Sequence, residues 1–237
     1  MIRSHVSIRD LLVVLLTLTT GAVDVTSFLA LGNVFSSVVT GDMVLLGAAA
    51  GTGRPELAVH SGVALAGYLA GVAAGAPLAA RRQRGTATYG TGTWPPGVTV
   101  TLVAELVILA AFSVGWELAG TQPSGSGQLA LVAVLAAAMG LQAAAVRRLG
   151  QMSTTYLTST LTAVVAGLVT GSKPDGMARS VGVLATLIVG AIAASILLEQ
   201  ARAWLPLVIL LPLGLVIVAS VAGFEWVRDH LTPSRGR

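Results

Sequence analysis

No cysteine occurs in the 237 residues, so disulfides and thiolate metal sites are excluded. Histidine is nearly as scarce: His5, His60 and His230 stand far apart, and no pair has ligand spacing, so no metal is expected. Charged residues make up 10% of the chain, where a soluble domain carries about 25%. The motifs of hydrolases, zinc peptidases and P-loop enzymes are absent, and Gly90-Thr91-Gly92 follows no strand. The expectation is therefore a protein that is not an enzyme and has no cofactor. A net charge of +4 and a pI near 10.3 bring nucleic acid to mind. The basic residues sit in short clusters between apolar runs, however, with few aromatics beside them. That pattern reads as a topology signal rather than a phosphate-binding surface.

What is present is apolar: 54% of residues are hydrophobic and the mean hydropathy is +0.84. Runs of about 20 apolar residues recur along the whole length, the signature of an all-α membrane protein. The expectation is one integral membrane domain over 1–237, with the lipid bilayer as its first partner. Arg3 and Arg9 before an apolar run resemble a signal peptide. The run continues through Leu31 with no small-residue cleavage site, so it reads as a retained first span. Eight apolar segments follow one another, at about 10–31, 33–51, 56–80, 98–119, 129–146, 152–170, 177–199 and 204–225.

These form two sets of four. Arg54-Pro55-Glu56 recurs in type as Lys173-Pro174-Asp175, 119 residues later. At the same offset the stripe Gly67, Gly71, Gly75 becomes Thr186, Gly190, Ala194. Small residues four apart let membrane helices approach closely, so both stripes are assigned to helix packing. Trp94/Trp116 and Trp204/Trp226 bracket the fourth and eighth segments, each pair 22 residues apart. At about 1.5 Å per residue that is about 33 Å, the separation of two interfacial belts. The prediction is an internal repeat, with repeat one at about 10–119 and repeat two at about 129–225.

Charge decides which segments cross. If the second and sixth segments enter and leave on one side, and the N-terminus is cytoplasmic, 12 basic residues lie inside and only Arg54 and Arg202 outside. If all eight cross, the division is 8 to 6; if only the second crosses, it is 10 to 4. The positive-inside rule favours six transmembrane helices plus two broken or re-entrant segments, with seven spans as the alternative. Each repeat then crosses three times, the second is inverted relative to the first, and both termini are cytoplasmic. The breaks are placed at Thr40-Gly41-Asp42 and, after Gly150, at Thr158-Ser159-Thr160. Interrupted helices near the midplane are a recurrent plan for transporters, because their ends face the solute. The competing reading is two ordinary short spans whose Thr and Ser hydroxyls bond back to the helix.

Several polar residues stand out in the apolar pattern. Thr17, Thr20, Gly21, Asp24 and Ser27 share one helical stripe, so the Asp24 carboxylate faces protein or water rather than lipid. A central Asp costs about 2.5–3.5 kcal/mol on the insertion scale, which marks it as a functional candidate. Its expected partners are the Thr40 or the Thr158 region. Asp42 suits either solute contact or capping of the helix after it. Glu105 reads as a second proton-carrying group or an inter-helix hydrogen-bonding residue. Gln142 is expected to bond to the second broken segment, His60 to lie at the interface, and Pro206 and Pro212 to bend the last helix.

Five short motifs carry a resemblance: T-G-A-V-D (Thr20 to Asp24), L-G (Leu31-Gly32), T-G-D (Thr40 to Asp42), G-L-Q (Gly140 to Gln142) and T-T-Y-L-T-S-T (Thr154 to Thr160). In order and spacing they resemble the YoaK family of small multi-pass bacterial inner-membrane proteins, over nearly the whole chain. Asp42 and Ala143 stand where that family usually has Asn, and Ser159 where it usually has Gly. The resemblance implies the cytoplasmic membrane of a bacterium and a multi-pass fold, and it names no substrate. The residues themselves suggest a secondary transporter or channel for a small solute or ion. In that reading the two triplets converge beside Asp24. The alternative is a non-transporting scaffold that binds a partner subunit and uses its acid structurally. A second copy of the chain is a further candidate partner.

In this Cys-free chain, single cysteines introduced at positions 52 and 122 should react with an impermeant thiol reagent from outside the cell, and one at 172 only from inside. Finding 52 and 172 on the same side would break the inverted arrangement.

Overall fold

The computed structural model describes residues 8–81, 94–149, 157–171 and 177–231, with side chains described from 9 to 222 within those ranges. Among the described residues it contains eight α-helices and no strand. They are α1 (Ile8–Ala30), α2 (Val39–Thr52), α3 (Pro55–Ala80), α4 (Pro96–Leu118), α5 (Gly125–Arg148), α6 (Leu157–Thr170), α7 (Met177–Gln200) and α8 (Leu205–Leu231). A 3-10 turn, Arg202–Trp204, leads into α8. Proline sets two of the starts: Pro55 and Pro96 occupy the first helical position, where a missing N–H costs nothing. Gly53, at φ 65°, ends α2 in a left-handed cap whose N–H returns to Ala49 O. Lys173-Pro174-Asp175, Gly150 and Thr154–Tyr156 lie outside the described residues.

Six helices are long and apolar enough to cross a membrane, and the two short ones, α2 and α6, have 14 residues each. At 1.5 Å per residue a 14-residue helix is about 21 Å long, short of the roughly 30 Å hydrocarbon core. Six spans and two short segments match the sequence expectation. The position of the first break does not. Helix α2 runs without interruption through Thr40, Gly41 and Asp42, and the irregular backbone lies earlier, at Leu31–Val38. Gly32 (φ 109°) and Asn33 (φ 60°) turn the chain there. Gly41 is an ordinary helical residue of α2, with no left-handed backbone, so it makes no break. Thr158, Ser159 and Thr160 similarly lie in the first turn of α6.

The long helices alternate in direction. At one end, the upper, Gln128 at the start of α5 donates to Ala30 O at the end of α1 and meets His60 near the start of α3. Trp116 Nε1, near the end of α4, donates to Arg202 O beside the start of α8 at 3.1 Å. At the lower end, Arg179 of α7 meets Asp10 of α1 at 3.0 Å, and Thr99 of α4 meets Ser220 of α8 at 3.1 Å. Both ends of the α2 hairpin therefore join the bundle at the upper end, and both ends of the α6 segment join it at the lower end.

The packing scheme survives exchange of each helix with the one four places later. The closest pairs are α3 with α5 and α1 with α7, which that exchange interconverts. The same holds for α4·α5 and α8·α1, and for α2·α3 and α6·α7. The contacts agree residue by residue. A side chain at Gly71 would strike Ala137 O, and one at Gly190 would strike Leu18 O. A side chain at Gly140 would strike Tyr68 O, and one at Gly21 would strike Leu187 O. In both couples the two contacts differ by 119 residues on each side. The stripes assigned to packing sit in these seams: Gly67 against Ala133, Gly75 against Ala144 and Leu141, and the Thr186 hydroxyl donating to Val14 O at 3.0 Å. Ala194 is fully buried.

The tryptophan belts are less regular than their spacing. Trp116 is fully buried among α4 and its neighbours instead of facing lipid, whereas Trp204 is exposed. The Trp226 side chain lies outside the described residues. Pro206 falls in the first turn of α8 and Pro212 inside it.

Because the glycines admit main chain at four equivalent crossings, Gly71→Leu and Gly190→Leu should each lose at least about 1–3 kcal/mol through overpacking, by similar amounts. Gly47→Ala, with open space beside it, should be silent or slightly stabilising. Thermal unfolding in detergent compares all three.

Candidate functional site

The irregular stretch Leu31–Val38 carries backbone N–H groups that no helix satisfies, and with Ser36 and Ser37 buried an unpaired N–H there would cost about 1–3 kcal/mol. Two carboxylates satisfy them. Asp24, six residues before the end of α1 and 8% exposed, accepts from Ser36 N at 3.0 Å and Ser37 N at 2.8 Å through Oδ1. Its Oδ2 accepts the Ser37 hydroxyl at 2.5 Å. Asp42, in the first turn of α2, reaches back to accept Phe35 N at 2.9 Å. The Ser27 and Ser36 hydroxyls lie 2.5 Å apart, and the rings of Phe28 and Phe35 stack with centroids separated by 5.2 Å. Three consecutive loop N–H groups are thus held by two acids that flank the loop in sequence.

The outer side of this loop leans on α3. His60 Nδ1 lies 2.8 Å from Glu56 O and its Nε2 lies 3.3 Å from Gln128 Oε1. Gly32 faces the His60 ring so closely that any side chain there would collide with it. His60 thus ties α3 to α5.

The candidate residues do not gather into one site. Asp24 is buried on the predicted stripe with Thr17, Thr20 and Ser27, but its partners are Ser36 and Ser37 rather than the Thr40 or Thr158 region. Asp42 is buried and holds the loop, not the N–H groups of its own helix. Thr40 is exposed and Gly41 is half-buried. Helix α2 packs on α3 and α6 packs on α7, so Thr40-Gly41-Asp42 and Thr158-Ser159-Thr160 are not brought together by packing of the short helices. Thr158 and Ser159 are exposed, and Thr160 is buried. Further along α6, Thr162 and Thr170 bond back to Thr158 O and Ala166 O at 2.9 Å each, as the short-span reading expected.

Gln142 is fully buried but turns toward α1, away from the second short segment. Its Oε1 lies 2.9 Å from the Thr20 hydroxyl, and its Nε2 donates to Leu16 O at 3.2 Å. Glu105 is fully buried in α4, and neither of its oxygens has a hydrogen-bond partner among the described residues. Among those residues, no group of three His, Asp or Glu side chains has the geometry to hold a metal. Sequence reasoning missed Ser36, Ser37 and Gln128. The adjacent serines in Phe35-Ser36-Ser37 were the available signal, since two hydroxyl residues end an apolar run just where it would need donors.

Residues 12–221 match the family described as "Protein of unknown function (DUF1275)". The chain belongs to this family. A curated relative, the UPF0700 transmembrane protein YoaK of Bacillus subtilis (strain 168), is 33% identical over 159 residues, which span 66% of each chain. No solved structure matches. This DUF1275 member is accordingly a multi-pass transmembrane protein, in agreement with the six apolar helices. Its motif residues have distinct tasks in the fold: Gly21 and Gly140 admit neighbouring backbones, Asp24 and Asp42 hold the loop, and Gln142 ties α5 to α1.

Asp24→Ala removes three hydrogen bonds and strands two N–H groups, and should cost at least about 2 kcal/mol. Asp42→Ala removes one and should cost about 1 kcal/mol. Amide exchange should accelerate at Ser36 and Ser37 in the first variant and at Phe35 in the second. Equal protection in wild type and Asp24→Ala would remove Asp24 from this role.

Proposed function

We propose that this protein is a secondary transporter or channel for a small solute, built as an inverted repeat of two four-helix halves. The observation that carries the reading is the exchange-symmetric packing, with one short helix resting on the bundle at each end, α2 on α3 and α6 on α7. A path that must open alternately to two sides is met most simply by two halves related in this way. The proposed activity involves no bond chemistry.

Two polar clasps support it. Asp10–Arg179 joins α1 to α7 at the lower end, and His60–Gln128 joins α3 to α5 at the upper end. Arg179 follows His60 by 119 residues and Gln128 follows Asp10 by 118, so the clasps occupy nearly equivalent places in the two halves. In the proposed cycle each clasp closes one entrance. Both are closed in this conformation, which corresponds to an occluded state. The loop held by Asp24 and Asp42 then forms the wall of the upper entrance, and the first turn of α6, with Thr158, Ser159 and Thr160, forms that of the lower. Described basic residues at the lower end are Arg9, Arg81, Arg147, Arg148 and Arg179, against Arg54 and Arg202 at the upper. We therefore orient the lower end, with both termini, toward the cytoplasm of the bacterial inner membrane.

One observation favours the scaffold reading: Asp24 is fully occupied with the loop backbone, as a structural acid would be. Flux separates the two. In proteoliposomes tested against a panel of small ions and solutes, wild type should pass at least one. The variants Asp10→Cys/Arg179→Cys and His60→Cys/Gln128→Cys should each lose that flux when joined by a short reversible thiol cross-linker, and regain it on reduction. Undiminished flux with either end locked would rule out alternating entrances. Folded protein that passes nothing would favour the scaffold.

A further inference from the structure

Among the described residues, Glu105 is a fully buried acid whose carboxyl oxygens the fold does not use. It stands nine residues into the 23-residue α4, about 14 Å along a helix of about 34 Å, and so near mid-depth. Thr101, Leu102, Leu109 and Phe112, one and two turns away on the same face, are all fully buried, so this face is the packed seam and not the lipid side. The helices packed on α4 are α3, α5 and α8. Their titratable and charged groups are few. In α5 these are Arg147 and Arg148, exposed in its last turn. In α3 they are Glu56 and His60 in the first two turns and Tyr68 at mid-length. The described side chains of α8 include none. No cation therefore stands opposite Glu105, and neither carboxyl oxygen is hydrogen-bonded.

Asp24 provides the internal comparison. In the same bundle, an acid with a structural task accepts three hydrogen bonds. Glu105 accepts none, so bundle stability does not explain it: an apolar residue would fill the seam without stranding polar atoms. In the register set by the tryptophan pairs its counterpart is Leu215, which is apolar. A buried carboxyl with neither counter-charge nor donor is far less costly as the neutral acid than as the ion. Ionisable groups kept at mid-membrane despite that penalty are characteristically proton or ion carriers.

We propose that Glu105 is a proton-binding site of the membrane core, holding its proton as the neutral carboxylic acid in this closed conformation. When α4 shifts against α5 and α8, water reaches the group and the O–H bond breaks, leaving carboxylate on Glu105 and the proton on water; closure reverses the step. As the coupling ion of the transporter, the proton rests on the reading above. Occupancy of Glu105 is measured without any flux, so either can fail alone.

Infrared spectra of the full chain in lipid provide the test. Wild type at neutral pH should show the carbonyl stretch of a protonated carboxyl that shifts on exchange into D₂O. The band should be lost in Glu105→Gln and kept in Asp24→Asn. Should Glu105→Gln fail to fold, wild type alone decides by reaction with dicyclohexylcarbodiimide: a protonated carboxyl in apolar surroundings adds across its C=N bond, the proton going to nitrogen and the carboxyl oxygen to carbon. The expected result is about one adduct per chain, on the peptide holding Glu105, at least tenfold above that with a water-soluble carbodiimide. Absence of the band from folded wild type would overturn the proposal. So would a band that does not respond to D₂O, or adducts confined to Glu56, Glu117 and Glu199.

Discussion

Where α3 crosses α5, and where α1 crosses α7, main chain touches main chain because glycine stands on both sides of each crossing. Gly71 receives Ala137 O and Gly140 receives Tyr68 O; Gly190 receives Leu18 O and Gly21 receives Leu187 O. In lipid there is no hydrophobic drive to bring helices together, so this intimacy, with its dispersion contacts, is a main source of helix association. It also fixes geometry. Two helices meeting backbone to backbone have little freedom to slide, and the remaining helices pack against these two pairs. The places of α2 and α6 follow, each resting on a member of one pair at its own end.

The second constraint is the accounting of backbone polar groups. A chain that turns between two packed helices leaves N–H groups outside any helix, and those that are buried must find acceptors. Here the turn is Leu31–Val38, and its donors are met by carboxylates from the helices on either side. This changes the meaning of Asp24. An acid inside a membrane helix is a functional signal by default, yet this one performs the service that a cap performs in a soluble protein. In the proposed transporter the two roles are compatible, since an acid that holds a wall of an entrance also controls how firmly that wall is held.

Much of the architecture was legible in the sequence. Segment lengths distinguish the six long helices from the two short ones, since a 14-residue helix cannot cross the core whatever its composition. The packing stripes were legible because small residues four apart have one economical use in lipid. The site was less legible. Thr40-Gly41-Asp42 attracted attention as a break because it is the polar interruption of an apolar run, whereas helical backbone tolerates Thr, Gly and Asp in a first turn. The real break, at Gly32 and Asn33, looks milder in composition and is visible only through its positive φ angles. Partners were the least legible feature. Gln142 was assigned to the short segment that follows it, yet it bonds to Thr20 and Leu16, 122 and 126 residues away.

Comparing the halves separates what the scaffold requires from what it does not. At the 119-residue offset the four crossing glycines pair with one another, Gly21 with Gly140 and Gly71 with Gly190. The polar residues do not: Asp24 pairs with Ala143, and Gln142 with Val23. If the acids were there to hold the bundle, both halves would need them, since both make the same crossings. Asp24 has a local reason to appear once, because it serves one particular loop. Glu105 has no such reason, which is why its proton, and not its packing, is the property to measure.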